Sequence, residues 1–286
     1  MQPSIILLMP YFGKWPAWFD YFLLSCRYNS DVQWLFYTDC PVPEEAPENV
    51  KFKCLTFVEY KQLVSERLDI DFNPESPYKI CDVRPALGFV HYEDIQEFNF
   101  WGVGDIDLVY GNLRNYFTAE RLALKDFYAT HARRVSGHLF LVRNTPLMLE
   151  AFRKIKNWQQ RFSSAEHHAL DEGAFSKLFI RHKNLPRWFS SLLAFFNPWA
   201  RRSEFVEAYS TPNGRVPWID GSFNFPTEWY WEQGRLTNNL TGGREYPYFH
   251  FIAWKEQWSV PDSFPALDTL ATKFTLTDSG FHYSEN

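Results

Sequence analysis

The sequence is short of positive charge, of paired cysteines, of glycine after its first apolar segment and of long apolar runs, and each shortage removes a class of function. With 29 Lys and Arg against 34 Asp and Glu in 286 residues, the formal charge is −5, which argues against a nucleic-acid binder that works through a broad basic surface. A bound anion would have to be met locally. Cys26, Cys40, Cys54 and Cys81 form no C-x-x-C unit and have no histidine at zinc-ligand spacing, so they read as reduced structural thiols. No run approaches the roughly 20 apolar residues that span a bilayer. The apolar start Ile5 to Met9 lacks a basic leader and is cut by Pro10, which predicts a first strand and a cytoplasmic protein. Pro10-Tyr11-Phe12-Gly13-Lys14-Trp15-Pro16 is not the glycine-rich phosphate loop that a sugar nucleotidyltransferase needs. No internal repeat or low-complexity tract is present.

What is abundant is apolar and aromatic. At 45% hydrophobic and 22% charged, the chain can bury a large core. Its 12 Trp, 15 Tyr and 28 Phe exceed what a core of this size needs. Flat aromatic faces suit sugar-binding clefts, and they also suit dense cores and protein interfaces.

In chain order, Ser4 to Met9 reads as a buried parallel strand ending in a loop, Trp18 to Tyr28 as a helix and Val32 to Tyr37 as a second strand. Val50 to Phe57 and Val58 to Leu68 repeat the strand-helix alternation, which predicts a mostly parallel sheet flanked by helices. Ligands of such sheets lie outside the carboxyl ends of the strands. Lys79, Asp82 and Arg84 in Pro77 to Gly88 put two cations and an acid together, suiting either a diphosphate pocket or the charged face of a helix start. Tyr92 to Phe98 is expected to be a helix, Asn112 to Phe117 a loop and Val135 to Val142 a strand. Thr145-Pro146 should cap a helix running from Leu147 to about Trp158. Trp229 to Leu236 reads as a hairpin whose tryptophans could floor an acceptor subsite, and the tail after Asp278 should fray.

The stretch Trp101-Gly-Val-Gly-Asp105-Ile-Asp107 carries the strongest chemical signal. In an extended segment Asp105 and Asp107 leave the same face, so they can grip one hard divalent ion, Mg²⁺ or Mn²⁺. Asp beside Gly at a strand end is also ordinary turn chemistry.

Together with Leu7 to Phe12, Lys79 to Gly88, Ser136-Gly137-His138, Asp171-Glu172 and Phe249 to Lys255, this segment resembles the GT-A fold glycosyltransferases over most of the chain. It looks closest to a bacterial family of glycosyltransferases associated with capsule and lipopolysaccharide synthesis, through Tyr78-Lys-Ile-Cys-Asp-Val-Arg-Pro85 and Trp101 to Asp107. The resemblance implies a GT-A-like, Rossmann-like core over residues 1–180. Residues 181–286 would form an aromatic-rich helical and hairpin extension on the same domain. It implies Mn²⁺ or Mg²⁺ on Asp105, Asp107 and His250, with Lys255 meeting a donor diphosphate. The substrates it implies are a nucleotide-sugar donor, a uridine nucleotide, and a glycan or lipid-linked glycan acceptor. Met9, Pro10, Tyr11, Phe12, Asp39, Lys79, Asp82 and Arg84 are expected to line the donor pocket, and Asp171 or Glu172 to serve as the catalytic carboxylate at the sugar. On residue chemistry alone, Asp171-Glu172 suits a helix N-terminus and His250 suits a core histidine. A non-catalytic glycan-binding protein on the same fold would share the aromatic content.

Residues 183–202 depart from the family pattern. Trp188, Phe189, Leu192, Leu193, Phe195, Phe196 and Trp199 lie among Arg181, Lys183, Arg187, Arg201 and Arg202, suiting either an interfacial helix that contacts the membrane or a helix packed on the core.

Overall fold

The structure, a computed structural model, describes residues 2–180, 185, 187–258 and 272–283, with residues 187–191 described by backbone alone. The strands are β1 (Ile5–Pro10), β2 (Val32–Thr38), β3 (Val50–Cys54), β4 (Phe100–Gly104), β5 (Leu108–Tyr110), β6 (Phe127–Ala129), β7 (Leu139–Arg143), β8 (Ser203–Phe205), β9 (Glu228–Glu232), β10 (Arg235–Asn238), β11 (Tyr248–His250), β12 (Lys273–Thr277) and β13 (Gly280–His282). A seven-stranded sheet runs β3-β2-β1-β4-β7-β6-β8. Pairs β3/β2, β2/β1, β1/β4 and β6/β8 are parallel, while β7 runs antiparallel to both β4 and β6. The expected mostly parallel sheet flanked by helices is present.

The alternation along β1 shows why the sheet is buried on both faces. Ile6 and Leu8 enter one apolar cluster, Ile5, Leu7 and Met9 the other. Helix α1 (Phe19–Arg27) covers the second face with Phe19, Phe22, Leu23 and Cys26. Helix α2 (Phe57–Leu68) covers the first with Tyr60, Val64 and Leu68, spaced one turn apart. Thr56 and Glu59 form a reciprocal capping box at the start of α2, a feature that contributes about 1 kcal/mol. Gly88 belongs to this packing: a Cβ there would stand 2.2 Å from the buried Trp101 ring.

The aromatic excess goes largely into a third cluster. A four-stranded sheet, β10-β9-β12-β13, and the pair β5/β11 pack Trp229, Trp231, Phe249 and Phe274 against Tyr21 and Leu24 of α1. Trp229 and Trp231 are therefore core residues and not the floor of an acceptor subsite. The chain beyond residue 180 also supplies β8 to the main sheet.

Several local expectations are corrected. The helix foreseen from Leu147 to Trp158 is broken into Pro146–Leu149, a 3-10 turn at Ala151–Lys154 and Trp158–Ser163, although Thr145 does cap its start. Residues Leu113–Tyr116 form one helical turn where a loop was expected. The tail pairs as β13 along β12, so it does not fray at Asp278. The four cysteines are free thiols, as expected. Among the described residues, no helix is long and apolar enough to cross a membrane.

A buried histidine makes the fold acid-sensitive. His91 lies 3.0 Å from the Tyr60 hydroxyl and stacks on Tyr37, and burial pushes its imidazole down to about 3. The unfolded chain binds a proton near pH 6.5 that the folded chain refuses. This contribution is therefore complete above pH 6.5 and is lost as pH falls toward 3. Between pH 7 and pH 5 the loss should reach about 2 kcal/mol. His91→Gln, which can keep a hydrogen bond to Tyr60, should flatten the pH dependence of the melting temperature; parallel profiles would refute this.

Candidate active site

A cavity of about 760 Å³ opens at the carboxyl ends of β1 and β4. The chain leaving β1 contributes Met9, Pro10, Tyr11 and Phe12 to its wall, and the chain leaving β4 contributes Asp105 and Asp107. Strand β4 ends at Gly104, and residues 105–107 are a bend before β5. The acid pair is thus brought together by a turn and not by strand alternation, which corrects the sequence reading. Asp105 N–H donates to the His138 carbonyl at 3.0 Å, pinning that bend to the start of β7.

Strand β11 carries a distant residue to the bend. His250 pairs with Leu108 in the antiparallel β5/β11 ladder, and the Phe251 N–H reaches the Asp107 carbonyl. One turn of helix, Ile252–Lys255, then places Lys255 Nζ 2.7 Å from Asp107 Oδ2. Ligand atoms of Asp105, Asp107 and His250 all lie within 4.8 Å of one another. His250 Nδ1 faces Thr211 Oγ1 at 3.4 Å, while Nε2 is buried without a hydrogen-bond partner, 3.3 Å from Asp107 Oδ2. That unpartnered nitrogen beside two carboxylates fits a divalent cation: one imidazole and carboxylate oxygens are a donor set suited to Mn²⁺, and Mg²⁺ would lean on the oxygens.

The two acids differ electrostatically. Burial works to raise the Asp107 carboxyl, but His250 and Lys255 outweigh it and hold the group well below the usual carboxylate range. Burial raises Asp105, against the pull of the Arg84 guanidinium that is hydrogen-bonded to it. Arg84 also reaches Asp171 Oδ2, at 3.6 Å, so one guanidinium links the acid pair to a third carboxylate. Asp171 opens a single turn of π-helix, Asp171–Phe175, is 3% exposed, and is raised by burial against Arg84. Glu172, at the same wall, is held by Arg134 at 3.0 Å.

Gly137 is where the backbone must come close. A Cβ there would stand 2.6 Å from Asp171 Oδ2 and 2.9 Å from Arg84 Nη1. Gly137→Ala should displace this carboxylate-guanidinium pair and lower turnover about tenfold while the melting temperature stays within a few degrees. Unchanged turnover would show that the pair's position does not matter.

Residues 7–282 match the model of one family, described as Family of unknown function (DUF6625). The chain belongs to that family. No curated protein matches the sequence. Similar solved structures include galactosyltransferase LgtC in complex with donor and acceptor sugar analogs, at 10% identity over 60% of this chain and 72% of that one, TM-score 0.35. Mouse xyloside xylosyltransferase 1 in its apo form is 10% identical over 87% and 96%, TM-score 0.41. Glycosyltransferase GlyE of Streptococcus pneumoniae TIGR4 is 12% identical over 73% and 46%, TM-score 0.31.

Not every residue expected in the pocket of this DUF6625 member lies there. Lys79 and Asp82 are 2% and 0% exposed and paired to each other at 2.8 Å, facing away from the cavity. Successive short turns from Pro77 to Val83 put Tyr78, Cys81 and Arg84 on the cavity side and Lys79 and Asp82 on the other. Asp39 is also outside the wall; its Oδ1 accepts the Gly13 N–H at 2.7 Å and holds the loop after β1. Phe12 touches the cavity but is packed on Phe57 and Tyr60. The sequence reading missed Thr130, His131, Arg134, Thr211 and Glu207, which line the far side of the cavity. They sit in turns after β6 and β8 with no motif to mark them. His138, whose ring lies 4.3 Å from that of His250 and whose Nε2 is 2.8 Å from the Tyr248 hydroxyl, belongs to a segment that carries the resemblance but was given no site role of its own.

Proposed function

We propose that this chain is a metal-dependent glycosyltransferase that moves a sugar from a nucleoside-diphosphate sugar, a uridine nucleotide, to a glycan or lipid-linked glycan acceptor in surface polysaccharide synthesis. The observation that supports this most is the convergence of Asp105, Asp107 and the unpartnered His250 Nε2 beside Arg84 and Lys255. A nucleotidyl diphosphate needs two features, a cation and nearby positive side chains, and both would be met at one end of this cavity. When bound on those three residues, Mn²⁺ or Mg²⁺ supplies Lewis-acid stabilisation of the charge that grows on the leaving diphosphate.

The chain's own groups do the rest. Lys255 and Arg84 are charged donors within reach of the same phosphates and offset their charge. Tyr11, stacked on Trp15 at 5.3 Å, presents an aromatic wall for the base; burial pushes its phenol up to about 12, so it stays neutral. In this reading Asp171, raised by burial, takes the proton of the acceptor hydroxyl as its oxygen bonds to the anomeric carbon and the bond to the diphosphate breaks. In a retaining enzyme the same carboxylate would instead stabilise an oxocarbenium-like sugar. Glu172, already held by Arg134, is the weaker candidate for either role.

A panel of nucleoside diphosphates tests the donor assignment. Uridine diphosphate with Mn²⁺ should raise the melting temperature more than either alone. At a hundredfold excess over Kd the stabilisation is about 2.7 kcal/mol. Greater stabilisation by guanosine or cytidine diphosphate would overturn the base, and no nucleotide effect with Mn²⁺ would overturn the donor site.

A further inference from the structure

We propose that the face formed by the end of helix Arg187–Phe196, the turn Pro198–Arg201 and the neighbouring cations docks on an anionic lipid surface. Leu192, Phe195 and Phe196 are 50%, 65% and 73% exposed, so this helix end leaves its apolar side in water. Exposed aromatic residues on a helix are a cost that lipid contact removes. The rest of the expected set divides. Trp199 turns inward onto Phe179 and is a packing residue, which corrects its placement at a lipid boundary. Arg181 and Lys183, and the side chains of Arg187, Trp188 and Phe189, lie outside the described residues.

Two contacts hold this face to the core. Asn197 Nδ2 donates to the Leu178 carbonyl at 3.0 Å, and Lys125 Nζ donates to the Arg201 carbonyl at 2.7 Å. The apolar edge is therefore presented on an anchored support. Around it stand the exposed Lys177, Arg201 and Arg202 and the ammonium of Lys125. Asp126, the one acid bonded within this group among the described residues, is shared between Arg202 and Arg143. On a chain of net charge −5, a local excess of cations beside exposed phenylalanines matches an anionic headgroup layer over an acyl boundary. A second copy of the chain would bring these cations against each other across a twofold axis, so like charge disfavours that occupant.

Co-sedimentation with vesicles tests this without reference to the reaction. Wild type should sediment with phosphatidylcholine vesicles containing one-fifth phosphatidylglycerol, much less with pure phosphatidylcholine, and less at 0.5 M salt than at 0.1 M. Arg201→Ala should weaken partitioning roughly fivefold, as expected for one surface charge. Phe195→Ser/Phe196→Ser should lose most binding while its fold and its donor hydrolysis stay at the wild-type level. No sedimentation of wild type, or equal sedimentation of the phenylalanine variant, would overturn the proposal. A lipid-free dimer dissociated by that variant would assign the face to a second copy instead.

Discussion

Asp107→Asn is expected to lower metal-dependent turnover of the donor by at least about a hundredfold. The substitution keeps the shape of the side chain and removes one charge at a place where Lys255 and His250 both face it. Asp107 receives Lys255 at 2.7 Å, stands 3.3 Å from His250 Nε2 and is 3% exposed. A neutral amide offers a cation one weak oxygen, and it also leaves Lys255 without its counter-charge. The Mn²⁺-dependent rise in melting temperature should vanish together with turnover. A variant that folds, still responds to Mn²⁺ and turns over within threefold of wild type would remove Asp107 from the metal site.

The second large effect falls outside the cavity. Asp82→Ala should cost about 3 to 5 kcal/mol, because it strands a buried ammonium. Lys79 Nζ reaches Asp82 and donates to the carbonyls of Arg161 and Glu166, while Asp82 accepts the N–H groups of His168 at 2.8 Å and Leu170 at 2.9 Å. The pair is therefore a clasp on the segment that leads into Asp171. A melting temperature lower by on the order of 10 °C is expected, with turnover falling as Asp171 loses its support. Lys79→Met should likewise be destabilising, and its donor KM near wild type would separate a clasp from a phosphate ligand. A stable Lys79→Met with a strongly raised KM would restore the pocket role that the sequence suggested.

These cases show what the sequence could and could not carry. The first half of the sheet was legible because β1 and β2 are largely apolar runs separated by the helical spacing of α1, and β3, where lysines alternate with Val50, Phe52 and Cys54, is followed by the helical spacing of α2. Asp105 and Asp107 were legible as chemistry but not as geometry, since a bend after Gly104 replaces the strand that would have aligned them. Lys79 and Asp82 read as donor-pocket residues or as the charged face of a helix start, because their residue types favour a ligand or water; only the phase of the short turns around them turns the pair inward. His250 has no local signal at all. Its pairing with Leu108 spans more than a hundred residues, and only the resemblance pointed to it. Strands β6, β8 and β13 are three residues long, too short for alternation to show.

The central claim is that Asp105, Asp107 and His250 hold a divalent cation for transfer from a nucleotide sugar, and a screen of nucleotide sugars for Mn²⁺-dependent hydrolysis measures it most directly. Wild type should release nucleoside diphosphate from at least one uridine nucleotide sugar, lose that activity to a chelator, regain it with Mn²⁺, and lose it in the folded Asp107→Asn variant. Metal-independent hydrolysis, or glycan binding with no release from any nucleotide sugar, would contradict the account.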